Sequence, residues 1–492
     1  MPDHPRDPTV DPVPSAAYAL HSYPMSDHSK HASPHTALVR GLTLWPAIAI
    51  VIGDTIGTGV FLVASDMARL VGSARLVLAA WIIGGLIVLF GAFCYAELGA
   101  AFPKAGGPYV YLNHGLGPLW GFLFGWMSSF LERPVAMATL AAGVVRFLGF
   151  FLPPLAAPWF SIHLGSDQFT FTTAQPVAAL IVVVVTGINI FSVRLSGAIQ
   201  TFLTALKMST ILLIVVGGFL FAPKHLASTA AIAPHLGWGT FGALLTALVP
   251  VMWAYNGFND LGDLGEEIVN PQNNIPRAII LGLLTIAGLY LLANITYFSV
   301  LPFESAATSQ HIASDVVQSF WGARGAAWLT AAMALSALGA LHVVIMTGAR
   351  IPYATARDGV FFRFAARLHP SFHTPTGALV FLGVIAALLT LTGTFEELYS
   401  LFVFAVWIFF ALTAIALIRL RQKNPTLTRP YRVWGYPWTP ILFLISAIAL
   451  TVNLWTIRPI RSSIGLAVIL AGIPFYSLWC RADRQSSPPD SP

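Results

Sequence analysis

One glycine-rich stretch, Gly53-Asp-Thr-Ile-Gly-Thr-Gly59, lies in the middle of the first long apolar run, residues 44–64. Glycine costs about 1 kcal/mol per residue in a helix, and a carboxylate at the centre of a bilayer costs roughly 2.5 kcal/mol or more. Irregular backbone at membrane depth is tolerated only where it is buried in protein or lines a cavity. The stretch therefore predicts a break in a first membrane helix.

A second stretch interrupts a later apolar run in the same way. The segment Trp253-Ala-Tyr-Asn-Gly-Phe-Asn-Asp260 combines glycine, asparagine and an acid, and Asp263 follows it. Each break falls in the first helix of a block of five, and five is odd, so the second block crosses the membrane in the opposite sense. Paired interrupted helices in inverted repeats mark the binding site of secondary transporters.

The two breaks offer complementary backbone chemistry, because unwinding a helix frees N–H and C=O groups that need partners. A half-helix beginning near residues 57–59 presents N–H groups and a positive dipole end, which suit a carboxylate. Half-helices ending near residues 55–56 and 253–256 present carbonyls, which suit an ammonium group. A small zwitterion matches both ends. Bulky side chains at the second break either occlude the cavity or serve ordinary packing; they are Trp253, Tyr255 and Phe258.

Three further charged side chains lie inside apolar runs. Lys207 either extends to the interface, as long basic side chains do, or occupies a cation site coupled to protons. Glu132 and Arg133 are adjacent at the middle of one run. We expect this pair to neutralise partners within the helix bundle, with a direct role in substrate binding as the alternative.

The composition supports one polytopic membrane domain, since 56% of residues are hydrophobic and only 9% are charged. A spanning helix needs about 20 mostly apolar residues. Twelve candidate spans follow from this criterion: 44–65, 76–98, 117–148, 174–192, 197–221, 240–266, 277–301, 325–349, 376–394, 397–419, 437–456 and 462–480. We therefore expect an all-α protein.

Charge and cysteine content exclude several other classes. Most of the 26 Lys and Arg residues fall on one side of the predicted spans, which orients both termini toward the cytoplasm and gives no nucleic-acid patch. Only two cysteines are present, Cys94 and Cys480, so neither a disulfide framework nor a thiol metal site is predicted. No signal peptide is visible; the proline- and histidine-rich residues 1–39 are predicted to be a disordered tail. We expect no metal and no cofactor.

Several motifs resemble those of the amino acid–polyamine–organocation superfamily, within its amino-acid permeases. The resemblance covers roughly residues 41–480. It is carried by Ile56-Gly-Thr-Gly-Val-Phe61, Tyr95-Ala-Glu-Leu, Phe102-Pro-Lys-Ala-Gly-Gly-Pro-Tyr-Val-Tyr111, Ala254-Tyr-Asn-Gly-Phe-Asn259, Glu266-Glu-Ile-Val-Asn-Pro271, Asn274-Ile-Pro276 and Tyr353-Ala-Thr-Ala-Arg-Asp-Gly359. The second break and the loop Arg429-Pro-Tyr-Arg432 are most similar to the L-type amino acid transporter branch.

The resemblance implies a LeuT-type fold of about 12 helices, a 5+5 inverted repeat with helices 1 and 6 broken. It implies that the substrate carboxylate binds amides at Thr58 and Gly59. It places the amine on carbonyls near Thr55 or Ile56 and at residues of the second break. It also implies that Lys207 takes the place of a sodium ion. The substrate-binding residues expected are Thr55, Ile56, Gly57, Thr58, Gly59, Trp253, Ala254, Asn256 and Gly257, with Trp253 and Phe258 as gates.

Departures from the family pattern bear on the substrate. Asp54 stands where many relatives have an apolar or small residue, and Asp260 stands where the L-type pattern has an aromatic one. With Asn259, these are the candidate selectivity residues. The added acidity leaves room for a cationic amino acid or a polyamine, although helix capping or pairing with a base is the alternative explanation.

These observations predict a secondary active transporter that moves amino acids by alternating access, through proton symport or exchange. The alternatives are a cationic amino acid or polyamine permease, or a non-transporting nutrient sensor. An enzyme is not expected, since no catalytic set lies at membrane depth. We expect a disordered tail (1–39), a transport core (40–421), peripheral helices 11 and 12 (422–481) and a second tail (482–492). The predicted location is the plasma (inner) membrane, and the predicted partners are an amino acid and lipid; oligomeric state and accessory subunits stay open.

Overall fold

The computed structural model describes residues 40–104, 106–164, 167–191, 196–222, 239–357, 359–372 and 374–486. Seventeen α-helices account for most of them. In chain order they are α1 Leu44–Thr55, α2 Gly59–Val71, α3 Ala74–Ala101, α4 Gly107–Leu116, α5 Pro118–Met127, α6 Arg133–Leu148, α7 Ala174–Phe191, α8 Ser196–Phe221, α9 Gly239–Ala254, α10 Pro271–Val300, α11 Phe303–Thr308, α12 Ile312–Gly348, α13 Arg350–Arg357, α14 Thr376–Thr390, α15 Phe395–Lys423, α16 Trp438–Ile457 and α17 Pro459–Ser486.

The apolar helices are long enough for a polytopic membrane protein. Among the described residues, eight helices can cross a membrane by length and composition, or nine when the bent pair α1 and α2 counts as one span. The shorter apolar helices Phe241–Ala254 and Thr376–Thr390 fall in two further predicted spans. The segment from α5 to α6 fills the remaining one. The all-α membrane architecture is confirmed, whereas the number twelve stays a prediction.

The first predicted break is present. Helix α1 ends at Thr55, α2 begins at Gly59, and the two axes are bent by 42°. Ile56 has an extended conformation at the end of α1 (φ −74°, ψ 91°). The glycine content of this stretch explains why the helix does not continue through it.

The second break has a different form. Helix α9 ends at Ala254, and the chain then passes through turns into a five-residue 3₁₀ helix, Asp260–Leu264. The predicted span 240–266 is therefore α-helical in its first part only. Gly257 has a φ of +119°, a conformation that residues with a side chain rarely adopt, and this turns the chain away from the helix axis.

A third irregularity lies in the predicted span 117–148, which falls between the two breaks along the chain. Helices α5 and α6 are joined by a π-helical turn, Ser128–Glu132, immediately before Arg133 and Pro134. Proline removes a backbone donor and clashes with the preceding turn, so a wider turn here has a local cause. Single π-helical turns frequently mark functional positions.

The helices that surround the breaks pack directly on one another. Helix α2 packs on α9, α1 packs on α10 and α8, and α3 packs on both α9 and α10. Helix α15 packs on α9, on α6 and on the peripheral helix α16. The two breaks therefore lie at the centre of the bundle.

Other features were not predicted from the sequence. An antiparallel hairpin of strands β1 (Pro158–Leu164) and β2 (Asp167–Thr172) connects α6 to α7. Helix α12 begins at Ile312 and has a non-helical residue at Gly322, whereas the predicted span began at residue 325. Helix α17 continues to Ser486, past the predicted boundary at residue 481. The predicted tail 1–39 lies outside the described residues, and the division into core, peripheral helices and tails stays a prediction.

Candidate functional site

The two breaks are in direct contact. A Cβ atom built on Gly59 would lie 2.6 Å from the Cβ of Ala254, at the last residue of α9. A Cβ atom built on Gly257 would lie 2.9 Å from the backbone nitrogen of Thr55. Any side chain at either glycine would separate the two breaks. Glycine is therefore required by close approach, and at residue 257 also by the backbone angle.

Unpartnered backbone donors lie at the start of α2. Within the described part of the chain, the N–H groups of Gly57, Thr58 and Gly59 have no hydrogen-bond partner. They are the free donors that every helix N-terminus leaves, and they coincide with the positive end of the helix dipole. The hydroxyls of Thr55 and Thr58 are buried and also have no partner among the described residues. The arrangement can bind a carboxylate.

Unpartnered backbone acceptors lie on the other side of the same junction. Among the described residues, the carbonyl oxygens of Ile56 and Asn256 accept no hydrogen bond. The carbonyl of Trp253 accepts the N–H of Asn256 at 3.2 Å. A carbonyl oxygen has two lone pairs, so even the occupied ones retain a second acceptor position. These oxygens can bind an ammonium group.

Tyr290 of α10 joins the two breaks through its hydroxyl group. The hydroxyl lies 3.1 Å from the carbonyl oxygen of Thr55 and 3.1 Å from that of Ala254, so it donates to the last residue of α1 and of α9. Its ring packs edge-on against Trp81 and is fully buried. The sequence analysis missed this residue, since the only signal was a tyrosine inside an apolar run, whose hydroxyl needs a partner.

Lys207 of α8 is buried and contacts the first break. Its Nζ donates a hydrogen bond to the carbonyl oxygen of Gly53 at 3.0 Å, so it caps one of the free carbonyls at the end of α1. The explanation by extension to the interface is wrong, because the side chain is only 2% exposed and ends in the bundle. Asp54 lies within electrostatic range of this ammonium group.

The two predicted gates pack on different levels of α15. Trp253 packs edge-on against Phe402, with ring centroids 5.0 Å apart. Phe258 packs against Phe410 at 5.6 Å and against Tyr95 at 5.5 Å. Phe402 and Phe410 are separated by eight residues of helix, or about 12 Å along its axis. Whether these rings act as gates stays a prediction.

The predicted selectivity residues have different surroundings. Asp260 forms an ion pair with Arg133 at 3.3 Å, and the side-chain amide of Asn259 donates to Asp260 at 2.8 Å. Asp263 lies 3.5 Å from the same guanidinium. Asp54, in contrast, has no hydrogen bond or ion pair among the described residues. The expectation that Arg133 neutralises partners within the bundle is confirmed.

The 3₁₀ helix is held against the loop that precedes α4. A Cβ atom built on Gly262 would lie 2.7 Å from the Tyr111 hydroxyl, and one on Gly265 would lie 2.9 Å from the carbonyl carbon of Pro103. A Cβ atom built on Gly107 would lie 2.6 Å from Oδ1 of Asp263. Pro103, Gly107 and Tyr111 therefore pack closely against the segment that follows the second break.

An ion-pair network connects α2, α6 and α15. Arg146 of α6 contacts Asp66 of α2 and Glu396 of α15, each at 3.3 Å, and Arg69 also pairs with Asp66. The Arg146 guanidinium lies 5.9 Å from the ring of Phe395, which packs against Trp253. The Arg146 network is thus linked through Phe395 to Trp253, and the Arg133 pairs form a second charged cluster near the second break.

The fold is that of a helical membrane protein in which two interrupted helices meet at one junction. The sequence model of the amino acid permease family matches residues 42–478. The chain belongs to the amino acid permease family, and it moves amino acids across a membrane. This family consists of permeases, not enzymes.

Individual relatives are similar over most of the chain. It is 30% identical to the large neutral amino acids transporter small subunit 2 of Mus musculus over 469 residues, which is 93% of this chain and 85% of the relative. It is 28% identical to the b(0,+)-type amino acid transporter 1 of Mus musculus, over 90% of this chain and 88% of the relative. It is also 28% identical to the Asc-type amino acid transporter 1 of Mus musculus, over 91% and 82%.

Proposed function

We propose that the junction of the two breaks is the amino-acid site of a secondary active transporter that works by alternating access. The observation that carries this proposal is the pairing of free N–H groups at residues 57–59 with free carbonyls at Ile56 and Asn256. An α-amino acid has a carboxylate and an ammonium group on one carbon, and it satisfies both sets together. Lys207 is the proposed ion-coupling residue.

The room for the substrate side chain lies beside Gly57. A Cβ atom built there would meet only the Leu140 side chain, at 3.8 Å, so the space in front of this glycine is open. Leu140, Trp253 and Phe402 supply apolar surface around the junction. This supports a neutral amino acid with an apolar side chain, in line with the similarity to the large neutral amino acids transporter small subunit 2.

A cationic amino acid or a polyamine is the second candidate, and Asp54 is the observation that favours it. Its carboxylate has no hydrogen bond or ion pair within the described residues and lies next to Thr55, which is a proposed ligand. Asp260 is weaker evidence for a cationic substrate, because its charge is already neutralised by Arg133. Flux measurements separate the two substrates, and they also distinguish either from a nutrient sensor that binds without turnover.

The orientation is proposed from charge. Basic residues concentrate in the segments between α12 and α14 and between α15 and α16, which the positive-inside rule assigns to the cytoplasm. This supports the proposal that both termini are cytoplasmic and that the Arg146 network faces the outside. The proposed location is the plasma (inner) membrane.

The test is substrate counterflow in proteoliposomes with labelled neutral, cationic and anionic amino acids and polyamines, with and without a pH gradient. We expect a neutral amino acid to exchange, and we expect Trp253→Ala to abolish uptake while the protein still inserts. Trp328→Ala is the matched control, because Trp328 is 74% exposed on the bundle surface. Normal uptake by Trp253→Ala would contradict the gate, and binding without flux would identify a sensor.

A further inference from the structure

Six charged side chains surround the two breaks, and their charges do not balance. Two are bases and four are acids: Lys207, Arg133, Asp54, Glu132, Asp260 and Asp263. If all six were ionised, the centre of the bundle would hold two negative charges in excess. Uncompensated charge at this depth is costly, so a compensating proton or cation is required.

The two bases are committed to other groups. The Arg133 guanidinium pairs with Asp260 and Asp263 through different nitrogen atoms, Nη1 and Nη2. The Lys207 ammonium binds the Gly53 carbonyl and interacts electrostatically with Asp54. Neither base pairs with Glu132 in the described structure, although Glu132 is adjacent to Arg133 in sequence.

Glu132 is the most deeply buried of the four acids. It is 3% exposed, it lies in the π-helical turn at the middle of its span, and its Oε2 has no hydrogen-bond partner among the described residues. The titratable and charged groups that act on it are Arg133 in the same segment, Asp260 and Asp263 in the 3₁₀ helix, and Tyr95 in α3. A buried carboxylate with a free oxygen is disfavoured, whereas a protonated carboxyl group is neutral.

The acidic side chains of this cluster do not gather around one point. Within the described ranges, no three His, Cys, Asp or Glu side chains converge on a common position that could hold a metal ion. A proton needs only one carboxyl oxygen, so a proton on one of these acids neutralises one of the two excess charges.

We propose that Glu132 is a second proton-binding residue of this transporter, in addition to Lys207, and that Arg133 controls the release of its proton. This inference rests on the transport function proposed above. While Arg133 is engaged by Asp260 and Asp263, Glu132 keeps its proton and stays neutral. When the 3₁₀ helix moves away from Pro103 and the start of α4, the two aspartates separate from Arg133. The freed guanidinium then stabilises the Glu132 carboxylate; the O–H bond breaks, and the proton passes to water on the opened side.

The first experiment replaces Glu132 by glutamine, which keeps its size and its hydrogen-bonding capacity but cannot titrate. In proteoliposomes, we expect Glu132→Gln to retain counterflow of the amino acid but to lose the accumulation driven by an inward proton gradient. The matched control is Glu304→Gln, because Glu304 is exposed in α11. If Glu132→Gln still accumulates the amino acid in response to the proton gradient, the inference is overturned. It is also overturned if the unmodified protein accumulates the amino acid when only a sodium gradient is present.

The second experiment does not depend on a functional variant. Infrared difference spectra of the reconstituted unmodified protein report the C=O stretch of protonated carboxyl groups. We expect such a band at neutral pH and its loss in Glu132→Gln; no band, or a band that the variant retains, would contradict the assignment. Failure of the proposed transport function can be distinguished from failure of the Glu132 assignment. If the protein is not a transporter, the unmodified protein shows no counterflow either.

Discussion

The two breaks contact each other, yet they end differently. After the first break the chain resumes as a 13-residue helix, α2, whereas after the second it forms only the five-residue 3₁₀ helix Asp260–Leu264. The first break therefore offers both an acceptor end and a donor end with a helix dipole behind it. The second offers mainly an acceptor end, because a five-residue helix has a weak dipole.

The difference indicates a division of labour between the breaks. The first break has free N–H groups, which we propose bind the substrate carboxylate, and it is fixed by Lys207 and Tyr290 through backbone carbonyls. The second is fixed through side chains, by Arg133 with Asp260 and Asp263. Bonds to backbone carbonyls hold the shape of a ligand site, whereas ion pairs between side chains can separate and form again. We infer that the first break binds and the second moves.

The largest expected effect tests whether the two breaks must touch. Gly59→Leu places a side chain where even a Cβ atom lies 2.6 Å from Ala254, so we expect uptake to be abolished. Gly187→Leu is the control, because a Cβ atom there meets nothing within 4 Å. Normal uptake by Gly59→Leu in protein that inserts would refute the proposed junction.

The next effect tests the moving break. Arg133→Met leaves Asp260 and Asp263 without their base, and breaking a buried pair costs about 3–5 kcal/mol. We expect Arg133→Met to lower the unfolding temperature. We also expect a thiol-specific reagent to react faster with a cysteine introduced by Lys104→Cys, next to Pro103. The triple variant Asp260→Asn/Asp263→Asn/Arg133→Met has no unpaired carboxylates at these positions. We therefore expect it to be more stable than Arg133→Met alone. If Arg133→Met is as stable as the unmodified protein, the ion pairs of Arg133 with Asp260 and Asp263 do not hold the second break.

A smaller effect tests the binding break. Lys207→Ala leaves the Gly53 carbonyl without its donor, and an unsatisfied buried group costs about 1–3 kcal/mol. We expect transport to be uncoupled from the pH gradient or lost, measured as accumulation in proteoliposomes. Lys423→Ala, at an exposed position, should behave as the unmodified protein. Unchanged pH dependence in Lys207→Ala would remove its coupling role.

The smallest effect concerns the bridge between the breaks. Tyr290→Phe keeps the ring packed against Trp81 but removes the hydrogen bonds to Thr55 and Ala254. The net value of such a bond is about 1 kcal/mol, or roughly a fivefold loss of substrate affinity. Tyr431→Phe removes a hydroxyl without a partner among the described residues and should leave affinity unchanged. Equal affinities in both variants would mean that the bridge does not shape the site.

The sequence was informative where the cost of burial is local. Glycine and aspartate at membrane depth predicted the first break, because each is unfavourable in a simple apolar helix. The position of Lys207 left two explanations open, extension to the interface or a cation site, and the structure was needed to choose between them. The form of the second break was not predictable, since a 3₁₀ helix and an α-helix have the same composition over five residues. The acceptors of Tyr290 and the partners of Arg133 lie far away in sequence, and a single chain without its fold carries no signal for such pairs.

Glu97 has a mechanical consequence for any transport cycle. This buried carboxylate at the end of α3 binds Arg421 of α15 and accepts the backbone N–H of Val433 at 2.7 Å. One side chain thereby fastens the ends of two spanning helices and the connection to α16. We expect these parts to move together as one rigid body during transport. The conformational change must then occur in short non-helical segments elsewhere, and residues 56–58 form one of them.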